Sequence, residues 1–146
     1  MVFDNTVLII TLVTWFTAQF IKVIIGVFRE KRFNFRWFIG TGGMPSSHAA
    51  GVSALAAACG MSKGFDSVIF AMAAVFALVT MFDAQGVRRA TGQQAGLLNQ
   101  ILDDIYWKGK ISEGRLKELV GHTPIEVFAG MLLGSALAVM LYQLWS

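Results

Sequence analysis

Two histidines stand at predicted helix starts, and the residues around each are suited to holding a phosphate. Residues 44–48, Met-Pro-Ser-Ser-His, follow a glycine-rich approach at positions 40–43 and lead into an apolar run. Glycines let the backbone come close to an anion, and the first N–H groups of a helix point at it. In the second segment, the i, i+4 spacing puts Glu126 beside His122 on one helical face. Together, His48 and His122 indicate phosphoryl chemistry.

The composition indicates a membrane protein. Hydrophobic residues make up 55% of the 146 residues and charged residues 14%, whereas an average soluble domain is about 25% charged. No Pro-rich, Ser-rich or low-complexity stretch divides the chain, so we expect a single domain over residues 1–146. The net charge of +3 lies in loops and is too small to indicate a nucleic-acid partner. Membrane lipids are the expected contacts.

Four apolar segments are candidates to cross a bilayer, whose core takes about 20 helical residues. They run from about residue 6 to 28, 45 to 61, 65 to 82 and 124 to 145. In the long polar stretch 83–121, apolar residues at helical spacing predict an amphipathic helix from about Gln93 to Trp107. The predicted fold class is all-α: a polytopic membrane helical bundle with about four transmembrane helices. Small residues at three- or four-residue spacing predict close helix contacts at Gly51, Ala54, Ala58, Gly130 and Gly134.

Basic residues are concentrated in two of the predicted loops. With four spans, both loops lie on one side of the membrane, and Lys63 is the basic residue on the other side. The positive-inside rule puts the two basic loops in the cytoplasm. His48, His122 and Asp83 fall on that same side, and Lys22 lies about two turns inside the end of the first segment. These loops contain Arg29, Lys31, Arg32, Arg36, Arg88, Arg89, Lys108, Lys110, Arg115 and Lys117.

These motifs resemble those of the type 2 phosphatidic acid phosphatase and vanadium haloperoxidase superfamily. Pro45-Ser46-Ser47-His48 is similar to its Pro-Ser-Gly-His motif, His122-x3-Glu126 to its His-x3-Asp, and Lys22-x6-Arg29 to the lysine and arginine of its first motif. The runs 42–48, 83–89 and 121–127 together resemble the divergent bacterial and plastid branch. The chain departs from the superfamily pattern at Glu30, Ser47 and Glu126, and no arginine stands six residues before His122.

The resemblance implies a mechanism. His122 would attack the phosphorus to form a phosphohistidine, Glu126 would hold the ring tautomer, and His48 would serve as general acid and then as general base. No metal or other cofactor is expected, since the carboxylates do not have the spacing of metal ligands. An arginine from residues 88, 89 or 115 would complete the phosphate site. The predicted substrate phosphate-binding residues are Lys22, Arg29, Ser46, Ser47, Asp83, Arg88 and Arg89.

Three functional hypotheses follow. The first is a metal-independent lipid phosphatase in a bacterial cytoplasmic membrane, with a site facing the cytoplasm and a lipid phosphomonoester or diphosphate as substrate. The second is a non-catalytic scaffold or assembly factor that binds anionic headgroups in a relict phosphate pocket; the altered motifs favour it. The third, a small transporter, is weaker because intramembrane charge is almost confined to Lys22. The sequence leaves open phosphatidylglycerophosphate, phosphatidate and prenyl phosphates as substrates, and also a homodimer.

Each residue also has a purely structural interpretation. Lys22 is close enough to a span end to reach the headgroups with its charged tip. Asp83 fits a helix end paired with Arg88 or Arg89. The basic loop residues other than Arg29 are most simply topology signals and contacts to anionic lipids.

Overall fold

The computed structural model describes residues 5–31, 43–106 and 122–145, and these form five α-helices and no β-strand. The predicted all-α class is therefore confirmed. The helices are α1 (Thr6–Glu30), α2 (Ser47–Lys63), α3 (Val68–Gln85), α4 (Val87–Tyr106) and α5 (Pro124–Trp145).

Three stretches among the described residues are long and apolar enough to cross a membrane: Thr6–Phe28, Val68–Asn99 and Pro124–Trp145. The second of these joins α3 to most of α4. Helix α2 has 17 residues, which at 1.5 Å each makes it ~25 Å long, short of the ~30 Å hydrocarbon core. A count of four transmembrane helices stays a prediction.

Side-chain caps set where the first helices begin. The Asn5 side chain accepts a hydrogen bond from Leu8 N at 3.1 Å and starts α1. Ser46 caps α2, so this helix begins two residues after Pro45 rather than at the proline. Ser67 caps α3 by accepting from Phe70 N at 3.1 Å. These Ser and Asn caps satisfy N–H groups that have no partner within their helix.

Helix α4 is longer than the sequence pattern predicts. It begins at Val87, not near Gln93, because Gly86 lies in the right-handed helical region and the chain enters a second helix directly after α3. The predicted helix is confirmed, and the apolar residues of its pattern, Leu97, Leu98 and Ile101, are all exposed on α4. The predicted end at Trp107 lies outside the described residues.

Helix α2 lies at the centre of the bundle, in contact with α1, α3 and α5. Its closest neighbour is α5, where glycines replace side chains. A Cβ at Gly134 would collide with the Ala50 backbone, and one at Gly130 would collide with the Ser46 carbonyl oxygen. The small residues predicted to allow close contact therefore do so on α5, as in other close-packed membrane helices.

An apolar cluster packs the half of the bundle nearer the α2–α3 turn. Ile10, Ala54, Ala58 and Ala138, from three helices, are fully buried there. Gly64, at a φ of 91°, ends α2 before the turn into α3. Such a positive φ favours glycine. This end of the molecule is built from small and aliphatic side chains.

Candidate active site

His122 and Glu126 meet at the start of α5. His122 Nδ1 lies 3.1 Å from Glu126 Oε2. Because a carboxylate only accepts hydrogen bonds, Nδ1 carries the proton in this contact, which leaves the lone pair of the neutral ring on Nε2. The structure therefore places these two side chains in contact, as their i, i+4 spacing predicts.

The same carboxylate also caps the helix. Glu126 Oε2 accepts from Thr123 N at 3.1 Å, and Thr123 Oγ1 accepts from Glu126 N at 3.4 Å. This reciprocal pair is a capping box, in which a Thr and a Glu three residues later satisfy each other's backbone N–H groups. Glu126 is thereby held in place by α5 itself, and it in turn holds the His122 ring. An aspartate side chain is one methylene shorter, so we expect it to make these two contacts less well.

His48, the second residue of α2, faces His122 across the interface between α2 and α5. The two ring centroids are 6.0 Å apart, and the ring planes are tilted by 60°. His122 is almost fully buried, with 1% of its surface exposed, whereas His48 is half-buried. A molecule approaching from outside the bundle therefore reaches His48 before His122.

Two backbone hydrogen bonds fix the helix ends that carry the histidines. Ser46 N donates to the Glu126 carbonyl oxygen at 3.0 Å, which joins the start of α2 to α5. His122 N donates to the Ala84 carbonyl oxygen at 3.1 Å, which joins the start of α5 to the end of α3. These contacts pass between helices, so the separation of the two rings is set by the main chain.

Lys22 reaches this site from α1. Its side chain is 93% buried, given its exposure of 7%, and its charge lies close enough to the Glu126 carboxylate for attraction between them. Gly43, at a φ of 89°, leaves room for the Lys22 stem, since a Cβ there would lie 3.3 Å from Lys22 Cγ and Cδ. A buried lysine within a membrane helix is costly and is a functional-site hypothesis by default.

The two serines of the first segment are buried at the start of α2. Ser46 has no exposed surface, and its Oγ accepts from Ala49 N at 3.3 Å as the helix cap. Ser47 is 3% exposed. Asp83 directly precedes Ala84, so it lies at the same end of the bundle. Phosphate binding by these three residues stays a prediction.

The predicted arginines fall where the structure gives no side-chain detail. Arg29 is in the last turn of α1, and Arg88 and Arg89 are in the first turn of α4, so their backbones lie at the ends of described helices. Their side chains, and the whole of Arg115, lie outside the described part of the chain. The structure thus brings together His48, His122, Glu126 and Lys22.

Sequence analysis did not identify Thr123 as part of this arrangement. The signal was present, because Thr-x-x-Glu at a helix start is the capping-box pattern. The Ala84 carbonyl had no such signal, since main-chain acceptors are not encoded by residue type. Within the described residues, no three His, Cys, Asp or Glu side chains are grouped as metal ligands would be. Independence from metal stays a prediction.

Comparison with known proteins agrees with the motifs. The chain is 43% identical to the uncharacterized membrane protein YuiD of Bacillus subtilis (strain 168), over 85% of each protein. No solved structure matches it. The model of the Divergent PAP2 family matches residues 3–137, which include every histidine, glutamate and lysine of the site. This membrane protein therefore belongs to the Divergent PAP2 family.

Proposed function

We propose that this protein is a membrane phosphatase that hydrolyses a lipid phosphomonoester or diphosphate through a phosphohistidine on His122. The observation that carries the proposal is the placement of His48 6.0 Å from a His122 ring that is held by Glu126. Two rings with centroids this close can both contact one phosphoryl group that lies beside the pair, because each hydrogen-bonding or near-attack contact spans ~3 Å.

The first half-reaction uses the two rings in opposite roles. The lone pair of His122 Nε2 attacks phosphorus, and the bond from phosphorus to the lipid oxygen breaks. His48 gives its proton to that departing oxygen. Glu126 accepts the Nδ1 hydrogen bond and stabilises the positive charge that develops on the His122 ring.

In the second half-reaction His48 acts as the base. It takes a proton from water as the water oxygen attacks the phosphohistidine, and the P–N bond breaks to release phosphate and restore His122. Lys22 would bind the phosphoryl oxygens, since it is a buried cation whose stem lies against Gly43, near the start of α2. Supporting contacts to the phosphate would come from Arg29, Ser46, Ser47, Asp83, Arg88 and Arg89. The proposed reaction uses no cofactor.

The substrate is a lipid because the site opens in a membrane bundle. The exposed surfaces of α1, α3 and α5 carry large apolar residues such as Phe16, Val79 and Leu132. A phosphate ester with a hydrocarbon chain concentrates in that environment. We expect membrane lipids around the bundle and no nucleic-acid partner, and a homodimer is compatible with the proposal.

The phosphatase proposal is tested by phosphate release from purified protein in lipid nanodiscs. The panel contains phosphatidylglycerophosphate, phosphatidate and prenyl phosphates, each assayed with and without a chelator. We expect release from at least one lipid, unchanged by the chelator and inhibited by vanadate, which imitates five-coordinate phosphorus. Activity that is abolished by the chelator and restored by magnesium would contradict the proposed chemistry.

A second function is favoured by one observation. His122 is almost fully buried, and Ser46 and Glu126 both cap helices, as expected of groups that hold a scaffold together. In that function the protein binds anionic headgroups in a relict pocket and assembles with partners. Binding of a lipid phosphate without release of phosphate from any member of the panel would support the scaffold.

We also propose that the site faces the cytoplasm of a bacterial cell, because ten of the twelve basic residues fall in residues 29–36 and 88–117, which follow the first and third predicted spans. Single cysteines at Lys63 and Lys110 in a Cys59→Ser background test this. An impermeant reagent should label the Lys63→Cys protein in intact cells and not the Lys110→Cys protein. The reverse pattern would overturn the orientation.

A further inference from the structure

A groove of about 480 Å³ lies between α1, α2 and α3, beside the histidine pair. Its volume is in the range of ligand sites, ~300–1,000 Å³. Leu12 of α1 and Phe76 of α3, which both line the groove, are exposed, so it can be reached from the surface of the bundle. The residues that line it are Thr11, Leu12, Trp15, His48, Gly51, Val52, Leu55, Phe76 and Thr80.

The groove is apolar although two threonines line it. Thr11 Oγ1 donates to the Val7 carbonyl oxygen and Thr80 Oγ1 to the Phe76 carbonyl oxygen, both at 2.8 Å. Each hydroxyl therefore donates its proton to a carbonyl oxygen of its own helix and not to the contents of the groove. Among the residues that the structure describes, no Asp, Glu, Lys or Arg lines the groove. Its contents must therefore be apolar along most of its length, because a polar group there would lose hydrogen bonds to water.

His48 belongs both to the groove and to the candidate active site. His48 is one of the residues that line the groove, and its ring centroid is 6.0 Å from that of His122. Leu55 is seven residues further along α2, which places it ~10 Å deeper at 1.5 Å per residue. Trp15 is likewise seven residues before Lys22 on α1. The groove thus runs from the histidine site toward the middle of the bundle.

Gly51 sets the width of this groove. A Cβ at Gly51 would lie 3.2 Å from Trp15 Cδ1, which is closer than ordinary contact between carbon atoms. The absence of a side chain at Gly51 lets Trp15 lie against α2 while the space beside it stays open. We expect a larger side chain at Leu55 to fill that space, at a position ~10 Å along α2 from His48.

We propose that this groove binds the hydrocarbon chain of the lipid whose phosphate is bound by His48 and His122, and that Leu55 and Gly51 determine chain preference. The proposal rests on the proposed function for the nature of the headgroup. A lipid that enters sideways from the membrane would lay its chain along α2 and bring its phosphate to the half-buried His48 first. The lipid oxygen that leaves would then be the one attached to the chain in the groove.

The first test compares Leu55→Trp with a matched control, Leu132→Trp, on an exposed position of α5 outside the groove. Each is assayed with a long-chain phosphatidate and with a water-soluble, short-chain phosphatidate. For Leu55→Trp we expect kcat/KM to fall at least about tenfold with the long-chain lipid and to stay within about twofold with the short-chain one. An equal fall for both substrates, or an equal fall in the control, would overturn the proposal.

The second test needs no catalysis and uses the wild-type protein. A phosphatidate with a photoactivatable group near its chain end is crosslinked in nanodiscs, and the modified residues are mapped by mass spectrometry. We expect labelling of Val52, Leu55 and Phe76 above that given by phosphatidylcholine with the same group. Labelling spread evenly over exposed positions such as Leu132 would overturn the groove assignment.

The two tests separate this proposal from the proposed function. Groove labelling without phosphate release from any lipid would support the binding site and contradict the phosphatase proposal. Phosphate release with neither groove labelling nor a chain-length effect would support the phosphatase proposal and contradict the assignment of the groove as the chain-binding site.

Discussion

The two ends of the bundle bury different kinds of side chain. At the site end, where α2 and α5 begin, the buried residues include Lys22, Ser46, Ser47 and His122. At the apolar end, near the α2–α3 turn, a cluster of Ile10, Ala54, Ala58 and Ala138 is buried. The same helices, α1, α2 and α5, run through both ends, so the difference comes from the side chains alone.

This contrast distinguishes the residues that stabilise helix packing from the residues of the candidate site. A lysine inside a membrane helix is costly, by about 3 kcal/mol at the helix centre on insertion scales, whereas alanines and glycines let helices pack closely. The apolar end could supply the packing without any of the polar residues. The proposed chemistry would account for the burial of Lys22 and His122, whereas Ser46 also has a structural role as the cap of α2.

The largest effect is expected from the histidines of the site end. His122→Asn and His48→Asn should each lower turnover at least about a hundredfold, as loss of a nucleophile or a general acid does. Thermal unfolding should change little, because asparagine is small enough for both positions. Turnover in lipid nanodiscs and unfolding in the same preparation measure the two quantities. Near-normal turnover in both variants would contradict the account in which the site end carries the catalytic residues.

A matched pair of overpacking variants sharpens the comparison. Gly130→Ala puts a methyl group against the Ser46 carbonyl oxygen, so α5 must move away from the start of α2, which carries His48. We expect roughly tenfold lower turnover, since small misplacements of reacting groups are costly. Ala58→Leu at the apolar end should lower the free energy of unfolding by about 1–3 kcal/mol. Its turnover per folded molecule should stay within about twofold.

Equal losses of turnover in Gly130→Ala and Ala58→Leu, at matched unfolding free energy, would mean that the two ends respond alike. Turnover must be divided by the folded fraction in each preparation, so that a loss of folded protein is not counted as a loss of catalysis.

The smallest effect is expected where one residue serves both structure and chemistry. Glu126→Gln keeps the capping box, because glutamine also accepts from the N-cap N–H, but it removes the charge beside His122. We expect turnover to fall several-fold with little change in unfolding temperature. Glu126→Asp keeps the charge and shortens the reach to Thr123 N, so it should lower stability by about 1 kcal/mol. An unchanged turnover in Glu126→Gln would limit Glu126 to its capping role.

Much of the site end could be predicted from sequence, because the residues that contact each other there are close together in the chain. His122 and Glu126 are one helical turn apart, and Ser46 is both a cap and part of a motif. The starts of α2 and α5 follow from Ser46 and Pro124 within two residues. Membership of the Divergent PAP2 family agrees with these motifs.

Other features depend on contacts that residue types do not encode. The hydrogen bond from His122 N to the Ala84 carbonyl oxygen joins residues 38 positions apart through the main chain. The groove arises from the way three helices diverge, with Gly51 and Trp15 in contact. The early start of α4 was missed because residues 87–92 lack apolar periodicity, and it follows instead from the backbone conformation at Gly86.

The most direct test of the central claim is to trap the covalent intermediate. A lipid phosphate with a radiolabelled phosphoryl group is mixed with the protein, the reaction is stopped in alkaline denaturant, and the labelled peptide is sequenced. We predict label on His122, stable in alkali, lost in acid and absent from His122→Asn. Label that persists in His122→Asn, or rapid turnover of the lipid with the label on another residue, would contradict the account.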